Sequence, residues 1–393
     1  MRGNRPLDKV TCAFTAAYGI DDVELVYAVL ATAVNVHDDT DPLWLMIIGP
    51  PSGGKTTASM ITADLPRVTL DDLTAASLIS AHHDTRDHQW KMTGLLHEKV
   101  GQGGRRLWVI EDFSSVLSMA DRGGREQLFA YLRKVYDGRL SRTIANCPLD
   151  LSWHGRLAVI AACTSAIDNQ SAYGDELGPR FVYLRLKDNS REHRAVRLRA
   201  ARGMSKDALT ARALAASVVG EAHLNLPDLD VTETLHDHLD LCALVGAYGR
   251  TSVGRDSTWK REVFGVIETE EPFRLRNQLM ALARGCLAMG LDEDETARVA
   301  ARIARDSMPR ARRDALAAVI HLGEEAIPLR IAREMKVSQK TALFALEDLA
   351  WAGMLEHRVI GKSGPHEVTC WSVVPEFREA VLAIYKGYWL DKV

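Results

Sequence analysis

The sequence predicts an α/β protein in which helices enclose a parallel sheet, followed by a smaller module of mixed helices and strands. The first observation is a set of short, continuously apolar runs at residues 43–48, 107–110, 157–162 and 181–186, with a weaker run at 67–70. Strands covered on both faces read as unbroken apolar runs, which is typical of a parallel sheet. The second observation is that residues 187 to about 325 are rich in Ala, Leu and Arg at helical spacing, which predicts an all-helical region.

Composition limits the class of protein. The 393 residues are 47% hydrophobic and 26% charged, which predicts a soluble globular chain with enough apolar material for two or three cores. No apolar run reaches the roughly 18 residues of a membrane span and the start has no signal core, so we expect a cytoplasmic protein without membrane contact. The six cysteines form no Cys-x-x-Cys pair, which argues against a zinc ribbon or a disulfide framework. A net charge of -3 excludes a histone-like polycation, so any contact with nucleic acid must be local.

A glycine-rich segment follows the first apolar run. Residues 49–56 read Gly-Pro-Pro-Ser-Gly-Gly-Lys-Thr and fit the phosphate-loop pattern G-x-x-x-x-G-K-[ST] between a strand and a helix. Its backbone N–H groups can surround phosphates, Lys55 supplies a charge for the terminal phosphates of ATP, and Thr56 offers a hydroxyl to Mg²⁺. The alternative is a chance glycine-rich turn. The residues expected to contact the nucleotide are Gly49, Pro50, Pro51, Ser52, Gly53, Gly54, Lys55, Thr56 and Thr57.

A phosphate loop needs an acidic partner on a neighbouring strand. The apolar run at 107–110 ends in Glu111 and Asp112. One carboxylate should join Thr56 in the magnesium shell and the other should polarise the attacking water. Because the usual order is Asp then Glu, the sequence leaves open which residue has which role. The alternative is that both are solvated charges at the end of a strand.

From about Asp41 to its end, the chain resembles AAA+ ATPases of the minichromosome maintenance helicase type, particularly smaller phage and mobile-element ATPases that carry a winged helix. Residues 73–76, Leu-Thr-Ala-Ala, look like the start of that clade's helix-2 insert, and residues 110–113 occupy the place of its acidic strand end. Residues 140–144 and 149–153 can pair as its pre-sensor hairpin. In those motors this hairpin points into a central pore and touches DNA. The resemblance makes Arg139 and Arg142 candidates for phosphate contact, the alternative being surface arginines.

The same resemblance implies further catalytic residues. Thr164 matches the sensor-1 position, where the family more often has Asn, and Arg180 lies in a Gly-Pro-Arg-Phe segment similar to the element that carries the arginine finger. Arg274 matches the sensor-2 arginine, with Arg276 and Arg284 as competitors. Ordinary alternatives are a strand-end threonine and surface arginines. The full catalytic set is then Lys55, Glu111, Asp112, Thr164, Arg180 and Arg274.

The C-terminal residues predict a helix-turn-helix followed by a hairpin. Helices are expected at residues 329–335 and 338–349, with Ser338 as the N-cap, and strands at 356–360 and 367–373 around a Gly-Lys-Ser-Gly-Pro turn. This arrangement indicates a winged helix. Its candidate DNA contacts are Gln339, Lys340, Arg358 and Lys362. Winged helices also dock proteins, so this alternative stays open.

These predictions give four segments: an N-terminal helical segment (1–40), an AAA+ P-loop ATPase core (41–188), a helical lid (189–325) and a winged helix (326–393). The preferred function is a ring-forming DNA translocase or helicase of a phage or mobile element, expected to be a hexamer, that hydrolyses ATP with Mg²⁺ at its subunit interfaces. The first alternative is an ATP-gated winged-helix regulator or replication initiator without unwinding activity, and the second is a loader acting on a protein partner. The chain shows no primase signature, so any primase is expected to be a separate partner.

Overall fold

The computed structural model describes residues 5–86, 88–169, 177–187, 204–256, 263–363 and 366–386. It divides into two compact units, one formed by residues 1–230 and 281–292 and the other by residues 231–280 and 293–393. Each unit therefore combines two separate stretches of the chain. The four sequential segments expected from the sequence stay a prediction.

A parallel sheet forms the centre of the first unit. Its strands follow the order β2-β5-β7-β1-β8, and every neighbouring pair in this path is parallel. The strands of this path are β1 (Trp44–Ile48), β2 (Arg67–Leu70), β5 (Gly104–Ile110), β7 (Leu151–Cys163) and β8 (Val182–Arg185). The predicted α/β class and its five apolar runs are thus confirmed. Since β1 lies between β7 and β8, the loop that follows β1 leaves the sheet from its interior, where α/β proteins place ligands.

Burial explains why these runs form strands. All five residues of β1 are buried, and the Trp44 indole N–H donates to the Leu157 carbonyl oxygen at 2.9 Å. The Trp44 ring also lies 5.2 Å, centroid to centroid, from the rings of Tyr136 and Phe181. The short helix α5 (Phe113–Leu117) and helix α6 (Arg122–Tyr136) contribute apolar side chains to this same core. The sheet is therefore held by apolar contact.

Two antiparallel hairpins extend this unit. The predicted pre-sensor hairpin is present: β6 (Arg139–Arg142) pairs with the first residues of β7. The second hairpin consists of β3 (Ser80–Asp84) and β4 (Gln89–Thr93), and it follows the short helix α4 (Ala75–Leu78) at the place where an insert was expected to begin. Strands β3 and β4 were not predicted from the sequence, because their residues are mostly polar.

Helices complete the first unit. The N-terminal region forms α1 (Pro6–Tyr18) and α2 (Val23–Val34), separated at Gly19, whose φ of 62° ends the first helix. The phosphate-loop motif leads into α3 (Lys55–Ser59), and α7 (Met204–Asn225) contacts both α1 and α2. None of the described helices is long and apolar enough to cross a membrane.

The second unit contains the helix-turn-helix and the hairpin that the sequence predicts. Its helices are α8 (Glu233–Arg250), the start of α9 (Phe273–Ala288), α10 (Glu293–Ser307), α11 (Arg310–Leu322), α12 (Pro328–Met335), α13 (Gln339–Trp351) and α14 (Pro375–Tyr385). Its strands are β9 (Ser252–Arg255), β10 (Val263–Glu268), β11 (Leu355–Ser363) and β12 (His366–Val373). The Ser338 hydroxyl accepts from the Thr341 N–H at 3.1 Å, as expected of the N-cap of α13.

One expectation about this unit is wrong. Residues 189–325 were expected to be all helical, but β9 and β10 form an antiparallel hairpin within them. The β10 residues Val-Phe-Gly-Val-Ile-Glu are rich in the β-branched and aromatic types that favour strands. The tip of the expected wing, residues 364–365, lies outside the described residues.

Candidate active site

The phosphate-loop motif forms a compact turn at the carboxyl end of β1. The Gly49 N–H donates to the Cys163 carbonyl oxygen at 3.1 Å, which ties the start of the loop to the end of β7. The Gly53 N–H donates to the Pro50 carbonyl oxygen at 3.0 Å, and the Ala58 N–H donates to that of Gly54 at 2.9 Å. The loop is therefore shaped by its own backbone before it enters α3.

Two glycines are required by this shape. Gly54 has a φ of 94°, a conformation that residues with a side chain rarely adopt. A Cβ atom at Gly53 would lie 2.8 Å from the Pro50 carbonyl oxygen. Pro50, Pro51 and Ser52 are exposed at the tip of the loop. The loop therefore fits a phosphate group: it is anchored at both ends, and its middle is open to solvent.

Lys55 is turned back onto this loop. Its ammonium group donates to the carbonyl oxygens of Gly49 at 3.1 Å and Pro50 at 2.9 Å. Burial lowers the pKa of Lys55, while the negative charge of Asp112 acts in the opposite direction. Burial also raises the pKa of the neighbouring Cys163 thiol to about 11, so this group stays neutral at physiological pH. Lys55 is thus placed to exchange two carbonyl ligands for phosphate oxygens.

The two carboxylates after β5 face different charges. Asp112 is the N-cap of α5, because its side chain accepts from the Ser114 N–H at 2.9 Å, and its charge acts on Lys55. Glu111 instead acts on Arg67, whose pKa is lowered mainly by burial. The Arg67 guanidinium donates to the Ser59 carbonyl oxygen at 2.8 Å. The charge of Asp112 therefore acts on the lysine of the phosphate loop, and that of Glu111 acts on Arg67.

These residues fit a magnesium nucleotide. Mg²⁺ is held by one or two protein side chains together with phosphate oxygens and water. Thr56 is exposed directly after Lys55, and Asp112, whose charge acts on that lysine, is exposed just after β5. Thr56 and Asp112 are therefore the side chains that would share a magnesium ion with bound phosphates. Thr57 is the next residue of α3.

Thr164 follows β7 and is held by a residue that sequence reasoning missed. The Thr164 N–H donates to the Ser114 hydroxyl at 3.1 Å, and the Ser114 hydroxyl lies 3.4 Å from the Thr164 hydroxyl and 3.7 Å from the Cys163 sulfur. Ser114 therefore connects the start of α5, directly after the carboxylates, to the predicted sensor-1 residue. Its only sequence signal is its position two residues after Asp112.

Two predicted catalytic arginines belong to elements other than the phosphate loop, β5 and β7. Arg180 is half-buried just before β8, and its guanidinium donates to the Leu177 carbonyl oxygen at 3.5 Å. Arg274 lies in the first turn of α9, which begins where the sequence predicted a helix, and it belongs to the second unit. Its competitors already have partners: Arg276 pairs with Asp240 at 3.0 Å and Arg284 with Asp38 at 3.1 Å.

The candidate DNA contacts of the first unit differ in their surroundings. Arg139 is exposed and lies opposite His154 in the β6–β7 pairing. Arg142 is half-buried, and its guanidinium donates to the Ile79 carbonyl oxygen at 2.9 Å. Arg142 pairs with Leu151 next to the loop of the β6–β7 hairpin, and it therefore fastens the loop end of this hairpin to the residue between α4 and β3, whereas Arg139 stays on the surface.

In the second unit, Gln339 and Lys340 are exposed in the first turn of α13, and Arg358 is exposed on β11. The Lys340 ammonium lies 5.5 Å from the centre of the Phe344 ring. Lys362 lies on β11. The DNA contacts of these residues stay a prediction.

No protein-family model matches the sequence, and no curated protein matches it. Among solved structures, the chain is similar to a full-length MCM homologue from Methanopyrus kandleri, with a TM-score of 0.44 and 15% identity. This alignment covers 77% of the chain but only 60% of that protein, which is less than two thirds of its length. A second similarity is to a protein from Cytophaga hutchinsonii provisionally described as an ATPase, with a TM-score of 0.42 and 12% identity over 77% of this chain and 86% of that one. Similarities at this level do not identify a family.

Proposed function

We propose that this protein is an AAA+ ATPase that uses ATP hydrolysis to translocate along or unwind DNA in the replication of a phage or mobile element. The observation that carries the proposal is a set of hydrogen bonds at the carboxyl edge of the sheet: the Gly49 N–H of the phosphate loop donates to the Cys163 carbonyl oxygen, and Ser114 bonds to both Asp112 and Thr164. A phosphate loop, a carboxylate and a polar sensor at that edge are the parts that ATP hydrolysis requires.

The proposal assigns a role to each of these residues. The loop N–H groups and Lys55 would bind the phosphates, and Thr56 with Asp112 would hold a magnesium ion, which would neutralise charge on those phosphates. Glu111 polarises the attacking water, and Thr164, oriented by Ser114, positions that water. Arg180 is assigned to the neighbouring subunit's nucleotide in a hexameric ring, and Arg274 keeps the assignment of sensor-2 arginine. Both assignments rest on the resemblance to MCM-type motors.

The β6–β7 hairpin is the proposed contact with DNA. Arg139 presents an exposed guanidinium on it, while Arg142 keeps its loop end attached to Ile79. A contact of this kind with phosphates is sequence-independent, which suits a motor that must move along any sequence.

The outward face of α13 favours a motor over a regulator that reads an operator. Ala342, Ala345, Leu346 and Leu349 form the buried face of this helix. Near its opposite face, the Arg255 guanidinium pairs with Asp348 at 2.6 Å and Glu347 at 3.1 Å, and lies 4.5 Å from the centre of the Phe344 ring. Carboxylates repel DNA phosphates, and the face of the helix that carries Glu347 and Asp348 is already in contact with Arg255. The polar residues Gln339 and Lys340 are exposed in its first turn, which is the part proposed to approach a duplex.

The proposal predicts that DNA stimulates ATP hydrolysis. Arg139→Ala should weaken the apparent affinity for DNA about tenfold, since it removes a phosphate contact. The matched control is Arg122→Ala, which removes another exposed arginine, on α6, that pairs with Glu126. The measurement is the rate of phosphate release against the concentration of single-stranded and duplex DNA. Hydrolysis that is indifferent to DNA would contradict a DNA motor and favour the loader that acts on a protein.

A further inference from the structure

A buried ion pair lies close to Thr164. The Arg185 guanidinium contacts both carboxylate oxygens of Asp168, Nη1 to Oδ2 at 2.6 Å and Nη2 to Oδ1 at 2.7 Å. The side chain of Arg185 is only 7% exposed and that of Asp168 17%. A buried ion pair is weak evidence for stability, because the desolvation of both charges offsets much of their attraction. The pair therefore calls for a role other than stability.

Its position connects three strands. Ile48, the last residue of β1, lies opposite Cys163 of β7 on one side and Arg185 of β8 on the other. Asp168 belongs to the 3₁₀ turn Ser165–Asn169, which follows β7. The ion pair therefore reaches from the turn after β7 across the end of β1 to β8. It spans the strand whose next residues form the phosphate loop.

The turn that carries Asp168 begins at the water-positioning residue. The Ile167 N–H donates to the Thr164 carbonyl oxygen at 3.3 Å, and the Thr164 N–H donates to the Ser114 hydroxyl at 3.1 Å. Ser114 thus fixes the start of the turn, and Arg185 fixes its end through Asp168. With both ends held, the backbone at Thr164 has a defined position relative to Gly49, whose N–H is bound to Cys163.

We propose that Arg185 and Asp168 are positioning residues for ATP hydrolysis, which set the location of the Thr164 hydroxyl relative to the terminal phosphate. This inference rests on the proposed function, because it assigns a part within the same site. Neither residue touches the nucleotide. They act through the Thr164 turn, and a displacement of about 1 Å of a group that positions reactants can cost about 10² in rate.

The test is a comparison of kcat with nucleotide affinity. Arg185→Met should lower kcat by about 10-fold to 10²-fold while the affinity for a non-hydrolysable magnesium–ATP analogue changes less than about threefold. Arg185→Lys should recover part of the rate, since the ammonium restores the charge but cannot form the two parallel bonds. The double variant Arg185→Met/Asp168→Leu removes both charges, so no lone charge is left buried to destabilise the fold. Its kcat should remain low.

The control is Asp38→Asn. Asp38 is 4% exposed and pairs with Arg284 at 3.1 Å, but it precedes β1, whereas the phosphate loop follows β1. Its kcat should be unchanged. A wild-type kcat in the double variant, or an equal loss in Asp38→Asn, would overturn the positioning role.

Lys55→Ala is assayed in the same experiment. If hydrolysis depends on Lys55 but not on Arg185, the inference alone fails. If the wild-type protein does not hydrolyse ATP, the proposed function fails as well.

Discussion

A mixture of Lys55→Ala and Arg180→Ala proteins is expected to hydrolyse ATP, although each variant alone is nearly inactive. The proposed site combines Lys55 of one subunit with Arg180 of the next. Loss of an arginine finger costs about 10³ to 10⁵ in rate. A mixed ring contains interfaces at which an Arg180→Ala subunit supplies the lysine and a Lys55→Ala subunit supplies the arginine. Random assembly makes about a quarter of the interfaces intact in this way.

The measurement is phosphate release as a function of the mixing ratio, after the subunits have been allowed to exchange. Recovery should be greatest at equal amounts and absent when either variant is mixed with a double variant that lacks both residues. Because Arg180 is half-buried and bonded to Leu177, the folding of each variant is checked by its melting temperature. Well-folded variants that show no recovery at any ratio would mean that Arg180 does not complete a neighbour's site.

Asp112→Asn is expected to have a larger effect on magnesium dependence than Glu111→Gln. The charge of Asp112 acts on Lys55, whereas that of Glu111 acts on Arg67. Removal of the carboxylate beside the phosphate loop should raise the Mg²⁺ concentration for half-maximal activity by about 10- to 100-fold. At saturating Mg²⁺, hydrolysis should still be about 10²- to 10³-fold slower, because a charge that organises the phosphates is missing.

The measurement is a magnesium titration of ATPase activity for both variants. Glu111→Gln should also slow hydrolysis if that residue polarises water, but its magnesium requirement should match that of the wild-type protein. The opposite pattern, with the Mg²⁺ requirement raised only by Glu111→Gln, would exchange the two roles.

The apolar strands and the phosphate loop could be predicted from the sequence because their physical causes are local. Residues 43–48 and 157–162 are apolar without interruption, and a short run of this kind is typical of a strand buried on both faces. The loop carries its own conformational signal in Gly53 and Gly54. Ser338 likewise predicts the start of α13, because its hydroxyl can accept a hydrogen bond from the Thr341 N–H.

Other features depend on contacts that the sequence does not display. The two carboxylates are adjacent in the chain, and only the fold shows that the charge of Asp112 acts on Lys55 and that of Glu111 on Arg67. Ser114 and Thr164 are 50 positions apart, and Arg185 and Asp168 are 17 apart. The β3–β4 hairpin was not predicted because its residues are mostly polar and show no alternation of apolar and polar side chains.

The central claim is that Lys55 and its loop bind a magnesium nucleotide for hydrolysis. Its most direct test is phosphate release from magnesium–ATP by the purified wild-type protein beside Lys55→Ala, with Lys99→Ala as a control at an exposed lysine. We expect hydrolysis by the wild-type and Lys99→Ala proteins and a loss of about 10²- to 10³-fold in Lys55→Ala. Equal rates for all three proteins, or no hydrolysis by any of them with or without DNA, would contradict the claim.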